Sequence, residues 1–421
     1  MCFCKYSAVF VILFISAAFA TTTTKTAKNA MMTREVGKTT ISVVGDFNGD
    51  GVDDFAVQGE GSVSVGYGHS LLPQLELVYA KVWLAPLPEG FVDEEDFNSE
   101  HLNFGLGLAY GNINGDTYDD LVIGDPDYNR IFVRYGSLTP WGLETDSVDS
   151  LTFDIADHVT FEIDGPQNSD SFGSRVKVAD LDANHIGDLI VADPGYADGA
   201  GRLCFYMNGS RSLSFELIGT APDDLMGVYL IHDDLIGDAG YDFATNVGAS
   251  IYILDSSFFQ SDPPKSSQIT PSVTYAVPNE RDIYFATSGQ ILGDLTTSKS
   301  ELVVGVLEDD AIFIISGSTS TTGAFPSHLI RLNHSDVEKS FGSMIAVHDV
   351  DLDLIDDVSV YRSSISGITP KAGAVTVIRG SSLRSLSEAA GGSQIEIDFN
   401  SVEPFFAGLG LEEGEDFGKY H

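Results

Sequence analysis

Asp46, Asn48 and Asp50 stand two residues apart, Gly51 follows, and Asp54 lies four beyond Asp50. Alternating oxygen side chains, a glycine, a backbone carbonyl at Val52 and a closing carboxylate are what a loop needs to wrap a hard cation. Calcium takes six to eight oxygens at about 2.3–2.6 Å. The spacing recurs at Asn112, Asn114, Asp116 and Asp120 with the Tyr118 carbonyl, and at Asp180, Asp182, Asn184 and Asp188 with Ile186. It recurs once more at Asp349, Asp351, Asp353 and Asp357 with Ile355. Two other copies are degraded: Asp234, Asp238 and Asp242 keep positions 1, 5 and 9 but have Ile236 at position 3, and Asp294 is followed by Thr296, Ser298 and Glu301, one residue out of register. About four Ca2+ sites are therefore expected. Loop one has the best geometry and loop six the most carboxylates, so these should bind tightest, and loop two weakest. Only loop one has glycine at position 6. Thr117, His185 and Leu354 stand there in the others, and the side chains of Thr and Leu oppose a left-handed backbone.

The segments that must hold these loops read as strands. Ile41 to Val44 precedes loop one, and Phe55 to Val57 and Val63 to Tyr67 follow it as short apolar or alternating runs broken by glycine. The loops begin at 46, 112, 180, 234, 294 and 349, a spacing of 54 to 68 residues. Four short strands per period predict an all-β chain, a β-propeller of four-stranded antiparallel blades, since a blade cannot bury both faces alone. The expected blades cover residues 41–85, 104–165, 172–220, 226–277, 283–333 and 341–400, with a seventh begun at 417–421.

Residues 1–20 read as a secretory signal: Lys5, an apolar run from Tyr6 to Phe19, and Ala18-Phe19-Ala20 as cleavage site. Residues 21–40 are polar and threonine-rich. No later apolar stretch is long enough to cross a bilayer, so a secreted or extracellular protein is expected, placed at the cell surface if the chain continues. With Cys2 and Cys4 in the signal, Cys204 alone remains and reads as a small core residue. Asn208-Gly209-Ser210 and Asn333-His334-Ser335 are glycosylation sequons, expected in a turn and a loop. A formal charge of −40, with no basic stripe, excludes nucleic acid as a partner class.

Phe104-Gly105, Phe172-Gly173, Phe341-Gly342 and Phe417-Gly418 open repeats, and Gly124-Asp125-Pro126 and Ala192-Asp193-Pro194 close them. With the acidic loops between, the chain from Ile41 to His421 resembles the FG-GAP repeat of the integrin alpha-chain propeller, whose ring usually has seven blades. Here Asp replaces the usual Ala in the closing triplet. The resemblance implies an extracellular calcium-binding module for cell adhesion, with a protein or glycan ligand and, in the integrin manner, a partner membrane subunit. Similar repeats also occur in secreted hydrolases and polysaccharide lyases, and a purely structural surface or matrix protein is a third reading. No Gly-x-Ser-x-Gly or His-Glu-x-x-His occurs, so no enzyme is expected.

In an up-and-down blade the metal loops share one face of the ring. The connections at 86–103, 124–130, 164–171, 192–201 and 363–371 share the other. Long loops on a rigid scaffold are where binding concentrates. Phe91, Phe97, Tyr128 and Tyr196 are the aromatics expected to anchor a ligand there, beside the acidic run Asp93 to Asp96. In integrin alpha chains the equivalent face meets ligand and the beta subunit, which the resemblance carries over as the same expectation.

Overall fold

In six places an acidic or polar loop turns one short strand back on another, and in each the loop's last acid opens the second strand. The computed structural model describes residues 42–59, 61–68, 80–84, 103–138, 152–154, 159–236, 240–260, 271, 273–276, 285–292, 299–306, 310–316, 323–324, 328–333, 341, 345–362, 374–390, 395–402 and 406–409. The signal, the threonine-rich segment, most of the loop at 86–103 and Phe417-Gly418 lie outside them. So do the connection at 363–371, Asp238, Asp294 and Gly342.

The fold is an all-β propeller of six blades, each a four-stranded antiparallel meander. Blade one is Ser42–Gly45, Asp54–Gly59, Ser62–Gly66 and Ala80–Leu84. Blade two is Leu108–Gly111, Asp120–Asp125, Arg130–Arg134 and Phe161–Asp164. Blade three is Arg175–Ala179, Asp188–Asp193, Arg202–Tyr206 and Phe215–Ile218. These three lie in a compact unit ending at Ile218, and the other three in a unit beginning at Gly219. Blade four is Leu230–Asp233, Asp242–Val247, Ser250–Leu254 and Val273–Ala276. Blade five is Phe285–Gly289, Glu301–Val306, Ala311–Ser316 and His328–Asn333. Blade six is Ile345–His348, Asp357–Arg362, Ala374–Ile378 and Phe406–Leu409.

Within each unit, blades pack face to face through side chains that alternate along the strands. Leu121 and Ile123 of blade two join Phe47, Val63 and Phe104 against blade one, while Val122 joins Phe172, Val176 and Val191 against blade three. The second strands of blades two to five are buried along their whole length, as a strand sandwiched on both faces must be. Phe104, Phe172 and Phe341, the aromatic half of the opening pairs, are at most 1% exposed between blades. Their glycine partners Gly105 and Gly173 have φ of 80° and 93°. Gly173 brings its carbonyl oxygen so close to Gly124 that a Cβ there would sit 1.9 Å from it. Opening and closing motifs are thus the two sides of one inter-blade contact.

Three blades carry a fifth strand added in parallel to the outer edge. Thr152–Asp154 pairs with Ala80–Leu84 of blade one, Gly323–Ala324 with Val273–Ala276 of blade four, and Ile395–Asp398 with His328–Asn333 of blade five. This corrects two expectations. Not all of 104–165 serves blade two, because Thr152–Asp154 pairs within the sheet of blade one. Blade six does not end at 400, because Ile395–Asp398 serves blade five and its own fourth strand is Phe406–Leu409. Ahead of both, directly after Ala374–Ile378, runs a helix that the alternating pattern did not announce, Gly380–Ala389.

Replacing Gly124 by alanine forces its Cβ into the neighbouring carbonyl, and overpacking of this kind costs about 1–3 kcal/mol. Urea unfolding of Gly124→Ala should show that loss. An unchanged midpoint would mean the blades are not held at this distance.

Candidate functional site

Three of the four acidic loops share one backbone design. The position-1 carboxylate accepts two consecutive N–H groups, so its two oxygens curl the loop around them. Asp50 and Gly51 donate to Asp46 at 3.1 and 2.9 Å. Asn184 and His185 donate to Asp180 at 2.8 and 2.8 Å, and Asp353 and Leu354 to Asp349 at 3.1 and 2.9 Å. In all four loops the position-5 side chain accepts from the N–H of position 7, at 2.7–2.9 Å.

The curl requires a left-handed backbone at positions 4 and 6. Loop one meets it with Gly49 and Gly51, at φ of 71° and 79°. Loop three holds Ala183 and His185 at 61° and 69°, and loop six holds Leu352 and Leu354 at 65° and 70°. An L-residue in this region costs about 1–2 kcal/mol. The expectation that Leu354 would resist it is overturned, because the paired carboxylate bonds outweigh the strain. Thr117 does avoid it: in loop two only Gly115 has positive φ, and Gly115 donates to Asn112 Oδ1 while Asn112 Nδ2 turns to the Asp116 carbonyl. A β-branched residue and a neutral amide at position 1 leave loop two folded differently.

Position 9 has a second task. Asp54, Asp120, Asp188 and Asp357 are 0% exposed. One oxygen of each accepts from the residue after position 1, namely Phe47, Ile113, Leu181 or Val350, at 2.7–2.9 Å. The other accepts from the turn after the third strand, at Gly68, Gly136, Asn208 or Gly380, again at 2.7–2.9 Å. Asp242 does the same in blade four with Leu235 and Ser256. In blade five Gly289 pairs with Glu301, so position 1 is Gln290 rather than Asp294, and the longer Glu301 side chain reaches Ile291 and Leu292. The degraded loops keep this brace. Burial raises these carboxyls above the ordinary 3.8: Asp54 to about 7, Asp120 and Asp188 to about 6, and Asp357 in the same direction.

Adjacent blades are also stitched at this level. Asp46 N–H donates to Asp119 Oδ2 at 3.0 Å while Asp119 N–H returns to the Asp46 carbonyl at 3.0 Å. Gln290 and Asp356 repeat the exchange between blades five and six, at 2.7 and 3.0 Å.

Among the described residues, three carboxylates converge to within 4.8 Å of one another in loop three (Asp180, Asp182, Asp188) and in loop six (Asp349, Asp351, Asp353). Each cluster holds a buried oxygen with no hydrogen-bond partner, at Asp182 Oδ1 and Asp351 Oδ1. Clustered carboxylates with a desolvated, unpartnered oxygen are what a hard cation satisfies, so the donor set fits calcium. Asp46, Asp50 and Asp54 of loop one do not converge to that limit. Blade six brings its own positive group, with Arg379 Nε donating to Asp351 Oδ2 at 2.8 Å. His185 turns outward, its side chain 98% exposed.

Phe91 and Phe97 lie outside the described residues. Tyr128 and Tyr196 are half-buried, each against an arginine of its own blade. The Arg130 guanidinium carbon is 5.2 Å from the Tyr128 ring, and that of Arg202 is 4.0 Å from the Tyr196 ring. The arginines pair with the closing-triplet acids, Arg130 with Asp125 at 2.9 Å and Arg202 with Asp193 at 2.8 Å. The Asp that departs from the repeat pattern thus anchors a hairpin corner. Asn208 lies exposed in a turn, whereas Asn333 ends a strand rather than sitting in a loop. Cys204 is fully buried, and its thiol is pushed up to about 12.

With calcium chelated, the folded state holds protons on Asp54, Asp120 and Asp188 that the unfolded chain releases above pH 3.8. Their stabilising contribution is complete below that pH and lost as pH rises through about 6 to 7. The chelated melting temperature should therefore fall from about pH 5 to pH 8, with a shallower fall in Asp54→Asn. A chelated melt that rises over this interval refutes the account.

No family model matches the chain. Among solved structures, similarity extends to BBS1N in a complex with ARL6DN, at TM-score 0.37 and 13% identity over 77% of this chain and 73% of that one. It extends also to the Dos1 propeller, at TM-score 0.40 and 12% identity over 73% of this chain and 62% of that one. The assignment of this chain as a propeller rests on its own sheet topology.

Proposed function

We propose that the chain is an FG-GAP-type, integrin-alpha-like extracellular propeller that binds calcium in loops one, two, three and six and presents a protein- or glycan-binding face. The observation that carries the calcium part is the convergence of three carboxylates around an unpartnered buried oxygen in loops three and six. On this reading loops three and six bind tightest. Loop one keeps the curl with its carboxylates further apart, and loop two, with two carboxylates and the altered turn, binds weakest. Bound calcium would supply positive charge to carboxylates already drawn together. The chain's part is to hold them there, through position-1 carboxylates locked by N–H pairs and position-9 carboxylates locked to two loops.

Calorimetric titration of the wild type, Asp182→Ala, Asp351→Ala and Asp116→Ala tests this. The first two variants should each lose a tight step, and Asp116→Ala only a weak one. Calcium at a hundredfold excess over Kd should add about 2.7 kcal/mol per site bound in the folded state alone. A wild type that takes up no calcium, or a melt indifferent to chelator, sinks the reading.

The partner face is the one opposite the acidic loops, where Tyr128 and Tyr196 stack on Arg130 and Arg202. Each tyrosine then offers a rigid, pre-ordered ring edge, which lowers the cost of ordering on binding. A pull-down from native cell surfaces or matrix with Tyr128→Ala/Tyr196→Ala should lose partners that the wild type and a folded Asp50→Ala variant keep. The reverse pattern would put the binding face on the calcium side.

A further inference from the structure

We propose that Asn208 is a positioning residue of the loop-three cation site and not a glycan acceptor, despite its sequon; this rests on the calcium reading above. In blades one, two and six, the residue whose N–H reaches the buried position-9 acid from beyond the third strand is glycine: Gly68, Gly136 and Gly380. A Cβ at these places would lie 2.4, 2.4 and 2.0 Å from the carbonyl oxygens of Asp53, Asp119 and Asp356. Blade three has Asn208 there, donating to Asp188 Oδ1 at 2.7 Å. Its φ of 57° is a conformation that asparagine tolerates better than most residues. None of the three glycines has positive φ, so the left-handed turn at Asn208 is what sets its side chain apart from them.

That side chain lies on loop three. Its Nδ2 donates to Asp182 Oδ2 at 3.3 Å, and its Oδ1 accepts from Asn184 Nδ2. Both arms of the carboxamide are therefore spent on positions 3 and 5 of the loop. Asp182 is held through Oδ2, and its other oxygen, Oδ1, is the buried one with no hydrogen-bond partner. Outer partners of this kind orient ligands and tune affinity without touching the ion. A glycan would replace one of the two hydrogens of the same Nδ2 and set a sugar ring against the loop at the point where Asp182 Oδ2 lies 3.3 Å away, so the two uses of Asn208 compete for the same space.

The test uses the full secreted chain as wild type, Asn208→Gly, Ser210→Ala and Asp182→Ala. Asp182→Ala identifies the blade-three step of the calcium isotherm. Asn208→Gly retains the backbone N–H and matches the other blades, and should weaken that step roughly tenfold to a hundredfold while leaving the others alone. Its melt in chelator should match wild type. Ser210→Ala deletes the sequon and should bind as wild type, and peptide mass analysis should find Asn208 unmodified in protein with an intact blade-three step. The proposal is overturned by wild-type affinity in Asn208→Gly, by a glycan on Asn208 beside an intact step, or by an equal loss of stability with and without calcium. If the wild type binds calcium at other loops but Asp182→Ala removes no step, this inference fails while the general reading stands. If the wild type binds none, both fail.

Discussion

Each blade depends on one buried acid. Asp54, Asp120, Asp188, Asp242, Glu301 and Asp357 sit where the first and second strands begin to pair, and each accepts backbone N–H groups from the loop it closes. In five of the six the second oxygen also fixes the turn after the third strand. Such a group is costly to bury and is retained because several orphan donors would otherwise be stranded with it. The brace explains why blade four keeps its shape with Ile236 at position 3, and blade five with Gln290 at position 1. It also separates two roles that look alike in a string of aspartates: position 9 holds the blade, while positions 1, 3 and 5 shape the acidic loop.

The stitching between blades begins one residue earlier. Position 8 supplies Asp119 to blade one and Asp356 to blade five, and its backbone N–H crosses to the preceding blade at Asp119, Gly187, Ser300 and Asp356. Loop, blade and neighbour are thus joined within two residues. Anything that moves an acidic loop pulls on the adjoining blade as well as its own.

Much of this was legible because the local rules agree. Alternating or apolar runs between turn residues marked the strands, and the spacing of acids marked the loops. Gly124 and Gly173 stood out only as parts of the closing and opening motifs, and their close approach belongs to the structure. What escaped was set by tertiary context. Ile395 to Ile397 reads as a strand, but nothing local says that its sheet is the neighbour's. Gly323–Ala324 is too short to read at all. The start of loop five was misplaced because Gln290 carries no acid. Leu354 looked unsuited to a left-handed turn because the two N–H bonds to Asp349 cannot be weighed from a sequence. Asn208 is the sharpest case, since the same three letters spell a sequon and a hydrogen-bonded bridge.

The parallel fifth strands bear on how such a chain can be inherited or cut. Blade one is completed by residues 152–154, which belong to its successor, and blades four and five are completed in turn by residues 323–324 and 395–398. A gene fragment that ends neatly after blade one, four or five therefore encodes a sheet without the strand that covers its outer edge, leaving that edge open to pairing with another chain. The smallest piece that can be duplicated, transplanted or expressed without that liability is a blade together with the following blade's long connection. Recombination in this architecture should favour breakpoints just past those connections rather than at the repeat starts.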